Sequence, residues 1–288
     1  MFTEESSQQI TPLPEEHADP PAVPAAEQIL PTPKPEWWVP WIDVGIAVAA
    51  WFVSVLLLVF VPVIYALPYM IYRIVKAGAP SPEAFASDKM LIFVSVVGIL
   101  PTHVLTFVLV WAVVSYAGRR PFWKNIDFDW PANSSRAMTT MLSVVMAIVL
   151  FSIAFAITML YGERKTDLDL MIESSIYTRF ATAFIAVVTA PLVEELIYRG
   201  LLYRALEKAA GVAVSIGIVS LLFAGVHVIQ YRNNLAVIAV ITLLSITLTV
   251  TRAVTGKVLP AFIIHLVFNG IQSILIVLAA FVDKDILK

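Results

Sequence analysis

Four polar features interrupt the long apolar stretches of this chain, and three of them fall in its last third. The first is Glu194-Glu195-Leu196-Ile197-Tyr198-Arg199. Glu195 and Arg199 stand four apart, so on a helix they share a face and can pair. Glu194 points about 100° away, too far round for good geometry with that arginine. One carboxylate can thus be neutralised structurally while the other, Glu194, remains free to work. Pro191, one turn earlier, leaves the Val187 carbonyl without its usual helical partner, and such an opening beside Glu194 would admit water. The second feature, Phe223 and His227, shares a helical face deep in an uncharged stretch, with Gly225 between them allowing another backbone to approach. The third, His265 and Asn269, uses the same four-residue spacing in the last apolar segment. The fourth is His103, beside Pro101 and Thr102, which has no ionisable companion nearby in sequence and reads as a structural histidine.

Each feature alone has an ordinary explanation. A buried Glu–Arg pair can fix helix packing, a lone histidine can be a hydrogen-bonded core residue, and a membrane asparagine can be interhelical glue. Together they are more polar than packing requires, and they divide into the roles of peptide hydrolysis. A carboxylate can take a proton from water, and a histidine can orient that water or protonate the leaving amine. A histidine and a carboxamide one turn apart can donate to a developing oxyanion. Other peptidase signatures are absent: there is no His-Glu-x-x-His, no Gly-x-Ser-x-Gly and no Gly-x-Gly-Asp.

The elements that must position these groups are membrane helices. Of 288 residues 59% are hydrophobic and only 14% charged, far from soluble averages. A net charge of −2 with no basic run gives nucleic-acid binding no support. The absence of cysteine excludes thiol catalysis, disulfides and cysteine-ligated metals. Charged residues punctuate spans at Asp43 to Arg73 (interrupted by Pro62 and Pro68), Met90 to Gly118, Ala137 to Gly162, Thr178 to Leu206, Ala209 to Gln230, Leu235 to Thr251 and Val258 to Val282. Backbone in lipid must satisfy itself internally, so the expected fold is all-α, a polytopic bundle of about seven transmembrane helices (seven or eight). Residues 1–36, rich in Pro, Glu and Ala, read as a disordered tail, with Trp37, Trp38 and Trp41 marking the water–lipid boundary. Residues 37–177 form the N-terminal helices, and the segment 119–136, with Arg119, Arg120 and Lys124 among Phe122, Trp123 and Phe128, fits an interfacial loop. Its positive charge argues for the cytoplasmic side.

The ordered triplet Glu-Glu-x-x-x-Arg, Phe-x-x-x-His and His-x-x-x-Asn resembles the CPBP family, the CAAX-type intramembrane endopeptidases and related bacteriocin-processing proteins. The wider string from Pro191 to Leu202 is also similar to that family's first motif. The resemblance implies that 178–283 is the catalytic region, with its site in a membrane cavity that opens toward the cytosol. It implies that Glu194 and His227 activate a water, that His265 and Asn269 form an oxyanion hole, and that Glu195 and Arg199, with Phe223, support the arrangement. Members are described both as glutamate-dependent and as metallopeptidases. If a zinc ion were held, Glu194, His227 and His265 would be its ligands, but the missing His-Glu-x-x-His and the role open to Asn269 favour chemistry without a cofactor. The implied partners are membrane lipids and a peptide or lipidated protein, either a prenylated CAAX tail or a bacteriocin-like substrate, and the implied location is the cell membrane of a prokaryote. Two readings compete: a transporter with a buried proton relay, and an inactive scaffold or immunity protein that keeps the pocket for binding.

Overall fold

A computed structural model describes residues 39–282 except 79, 163, 164 and 232. The 1–36 tail, Trp37 and Trp38 lie outside the described residues. Among the described residues there is no strand. The chain is an all-α polytopic membrane protein, with six helices among the described residues long and apolar enough to cross a bilayer and a shorter apolar stretch at Val212–Val228.

The first crossing is α1 (Val39–Ala77), which runs unbroken through Pro62 and Pro68. The expectation of an interruption there is corrected, since neighbouring elements in a membrane bundle can re-satisfy the backbone groups that proline frees. A short α2 (Pro82–Ala86) precedes the second crossing, made of α3 (Lys89–Val97) and α4 (Ile99–Ser115), which meet at Gly98. A Cβ at Gly98 would lie 2.8 Å from the Cα of Pro62, so glycine is what lets this joint press against α1. Asp88 caps α3 by accepting from the amides of Met90 and Leu91, and also receives the Tyr69 hydroxyl and the Arg73 guanidinium. Partial burial acts to raise its carboxyl. The Leu91 amide, Tyr69, Arg73 and the Met90 amide all donate to the charged form and hold it below the usual carboxylate range.

The chain then reverses through Tyr116, Ala117 and Gly118, all at positive φ, into the short α5 (Phe122–Asn125). Of the apolar residues in this loop, Phe122 and Ile126 are buried in the bundle and Trp123 is half exposed. Asp127 pins the loop down. Its carboxylate lies 3.0 Å from Arg252, 3.6 Å from Lys257 and 3.8 Å from Arg204, and its carbonyl accepts the Val258 amide. The third crossing is α6 (Arg136–Tyr161), followed by the short α7 (Asp167–Ser174), whose Thr166–Asp169 capping box closes its first turn. The fourth crossing is segmented into α8 (Ile176–Val188), α9 (Ala190–Glu195), a π-helical turn at Leu196–Leu202 and α10 (Tyr203–Ala210). The bundle is completed by α11 (Val212–Tyr231), α12 (Leu235–Thr255) and α13 (Leu259–Val282).

The π turn is the packing centre. Leu196, Leu202, Tyr203, Val219 and Phe223 form one buried cluster with Val110, Phe122 and Ile126. A second cluster joins α6, α12 and α13 through Ala147, Leu248, Ala261 and Phe268. Gly200 has no space for a side chain, because a Cβ there would overlap Ile126. Ile126 is fully buried and tied through Asp127 to α12, so it has little room to yield. Gly200→Ala is therefore expected to destabilise the protein by about 1–3 kcal/mol. Gly217→Ala, where nothing lies within 4 Å, should be neutral. Thermal unfolding of the two purified variants in detergent checks this, and equal melting temperatures would contradict the packing argument.

Candidate active site

The site begins at the break in the fourth crossing. Ser175 caps α8, whose last residue, Val188, is followed by Thr189 as a turn, and Pro191 stands in the first turn of α9. Proline cannot donate to the preceding turn, so the helix is interrupted five residues before Glu194. The π turn then begins directly after Glu195. Single π turns inside α-helices occur often at functional sites. Here the two interruptions bracket the adjacent glutamates.

Those glutamates lie in different surroundings. Glu195 is completely buried, and its Oε1 is 2.9 Å from Nη1 of Arg199, itself completely buried. The guanidinium also donates to α12, from Nε to the Thr249 hydroxyl (3.3 Å) and from Nη2 to Ser245 Oγ (2.9 Å) and the Ser245 carbonyl (3.1 Å). The Arg199 carbonyl in turn accepts from Nε of Arg252. Glu194 keeps a side-chain exposure of 24% and faces a cavity.

His265 joins the two. Its Nδ1 is 2.9 Å from Glu195 Oε1, and a carboxylate only accepts, so this nitrogen carries a proton. Its Nε2 lies 3.6 Å from Glu194 Oε2, just beyond hydrogen-bond length. On α11, Nδ1 of His227 donates to the Phe223 carbonyl at 2.8 Å, which leaves Nε2 as the ring nitrogen open to the cavity. Phe223 is the apolar hub of the cluster. Its ring stacks on His227 at 4.8 Å, meets Tyr198 and His265 edge-on at 5.0 and 6.0 Å, and lies 4.8 Å beneath the Arg199 guanidinium. Asn269 donates one amide hydrogen to the Ala186 carbonyl at 3.0 Å and retains a second.

Glu194, Phe223, His227, His265 and Asn269 all line one cavity of about 520 Å³, while Glu195 and Arg199 stand behind its wall. That volume is typical of ligand-binding clefts. The cavity extends past Thr166 and Asp169 to Tyr231 and Gln272, toward the face that carries α7. The basic loop 119–136 is on the opposite face with Asp127, Arg204 and Lys257. The charge of the loop and a cavity open to the cytosol therefore assign opposite orientations to the chain.

Several participants were not singled out from the sequence. Ser245 and Thr249 are spaced four apart in the sixth span, a visible signal of a polar stripe facing a partner. Tyr198 receives Nε1 of Trp51 at 3.1 Å, a contact from α1 that no local pattern announces. His103, read as structural, lines the same cavity as Glu194.

A zinc ion here would call on Glu194, His227 and His265. Among the described residues, no group of three His, Asp or Glu side chains is arranged to hold a metal ion. His265 is turned onto the two glutamates, while the Nδ1 contact of His227 to its own backbone leaves Nε2 open, as it is in a histidine that binds a metal. Glu194 and Nε2 of His227 remain open to the cavity, and no step below runs through a metal.

No curated protein and no solved structure matches the chain. Residues 176–271, about a third of the chain, match a family described as Type II CAAX prenyl endopeptidase Rce1-like. The match begins at the first residue of α8 and ends just past Asn269, enclosing all three motifs. The segment that supplies about half of the cavity lining is thus similar to the Rce1-like type II CAAX prenyl endopeptidase family.

Proposed function

We propose that this protein is an intramembrane endopeptidase that cleaves membrane-associated substrates, prenylated CAAX-type or bacteriocin-like peptides, in the cell membrane of a prokaryote. The observation that carries the reading is the asymmetry of the glutamate pair. Glu195 is spent on Arg199 and His265, while Glu194 faces the cavity beside His227, His265 and Asn269. The similarity of residues 176–271 to the Rce1-like family supports the same chemistry.

In this mechanism a water sits between the Glu194 carboxylate and Nε2 of His227. Glu194 takes its proton as the hydroxide adds to the peptide carbonyl. The developing oxyanion meets the second amide hydrogen of Asn269 and Nε2–H of His265. With Nδ1 committed to Glu195, His265 offers that donor only when both ring nitrogens carry protons. Fixed donors in such a cavity are worth more than in water and need no reorganisation.

Purified wild type should cleave a quenched prenylated CAAX peptide, and Glu194→Ala should not, although it inserts and folds normally. Cleavage by both proteins would remove Glu194 from the mechanism, and cleavage by neither, across a wide peptide panel, would favour a scaffold. Wild-type turnover should survive a zinc chelator, and loss that added Zn²⁺ restores would contradict the metal-free reading. Asn269→Ala should lower kcat by about 10²–10³-fold with little change in KM, the effect of removing one oxyanion donor. A steady-state titration checks the split, and an effect on KM alone would reassign Asn269 to substrate binding.

A further inference from the structure

We propose that His103 is a further catalytic residue of this site, supplied by the N-terminal half of the chain and carrying the proton to the leaving amine. The inference rests on the peptidase reading and adds to it a residue outside the matched segment 176–271.

The geometry fixes the ring. Nδ1 of His103 lies 2.7 Å from the hydroxyl of Thr189, at the break between α8 and α9. That hydroxyl donates onward to the Ile185 carbonyl at 3.4 Å, so it accepts from the histidine, and Nδ1 holds the proton. Nε2 is left with its lone pair. It makes no hydrogen bond among the described residues, and His103 lines the cavity. Thr102 and Thr106 line the same wall, and Glu194 lines the same cavity. A histidine with one nitrogen anchored by a hydroxyl and the other bare, in the same cavity as a carboxylate base, is equipped to move a proton.

The chemistry has a vacancy for such a group. A peptide nitrogen leaves readily only as a neutral amine, so a proton must reach it as the C–N bond breaks. Asn269 has no acidic proton, His265 is held between the glutamates, and His227 stands with Glu194 at the attacking water. The proton that Glu194 takes from water passes to Nε2 of His103, giving an imidazolium whose Nδ1–H stays on Thr189. Nε2–H then protonates the nitrogen as the C–N bond breaks, and both His103 and Glu194 return to their starting forms. The net change is the addition of one water across one peptide bond.

The test compares a peptide with its depsipeptide, identical except for an ester at the scissile position. An alkoxide leaves with less need of a proton than an amide anion, so loss of the general acid penalises the amide selectively. His103→Gln in the full chain should lower kcat on the peptide by about 10²-fold or more, leave KM unchanged, and lower ester turnover far less. Its peptide pH–rate profile should lose one limb. Glu194→Ala should abolish both reactions. An equal loss on peptide and ester, or no loss on either, would overturn the role of His103 while leaving the peptidase reading intact. Thr189→Val separates anchoring from chemistry, because it removes the clamp and keeps the imidazole. If it reproduced His103→Gln in full on both substrates, His103 would be only a brace, and the proposal would be wrong. Equal hydrolysis by wild type and Glu194→Ala would remove the peptidase reading and this inference together.

Discussion

The buried ion pair between Glu195 and Arg199 is the constraint on which the rest of the site depends. Neither side chain touches solvent, and a lone charge at that depth would be costly enough to reshape the helix around it. The fold meets the requirement from several sides. Arg199 spreads its donors over Glu195, Ser245 and Thr249, while Phe223 offers its ring face to the guanidinium. His265 donates to the same carboxylate oxygen that receives Arg199. This ties α9, the π turn, α11, α12 and α13 to a single point. Because Glu195 is held so firmly, its neighbour must face elsewhere, and the cavity is where Glu194 faces.

The N-terminal half is part of this construction. Ile126 closes against Gly200, and Asp127 gathers three basic side chains on one side of the π turn. On the other side, Trp51 reaches Tyr198 and His103 holds Thr189. The segment that matches the protease family is therefore braced at both of its helical interruptions by residues outside the match. Removal of α1 or α4 would strip contacts from the turns that aim the glutamates.

Much of the site was legible because its spacing is that of a helix. The four-residue step from Glu195 to Arg199 announced the pair, and the adjacent position announced that Glu194 would point away. The same step linked Phe223 with His227 and His265 with Asn269. What was not legible lay across the bundle. No sequence pattern says that His103 meets Thr189, some eighty residues on, so it passed as a core histidine. Pro62 and Pro68 suggested a break that α1 does not make, since the free groups left by a membrane proline can be met by neighbours rather than by the local sequence. The π turn was invisible for a related reason, because the hydrophobic spacing of Leu196–Leu202 reads the same in an α-helix.

The division of labour between two adjacent glutamates is the claim that most needs direct measurement. Glu194→Gln and Glu195→Gln differ from wild type by a similar loss of one charge, at neighbouring positions, with nearly unchanged volume. Melting temperature and turnover of a prenylated peptide should be measured for both in the same detergent. The account predicts that Glu194→Gln melts with wild type and is inactive. Glu195→Gln, which leaves Arg199 buried without its anion, should be destabilised by about 3–5 kcal/mol. A Glu195→Gln protein as stable as wild type, or a Glu194→Gln protein that still cleaves, would contradict it.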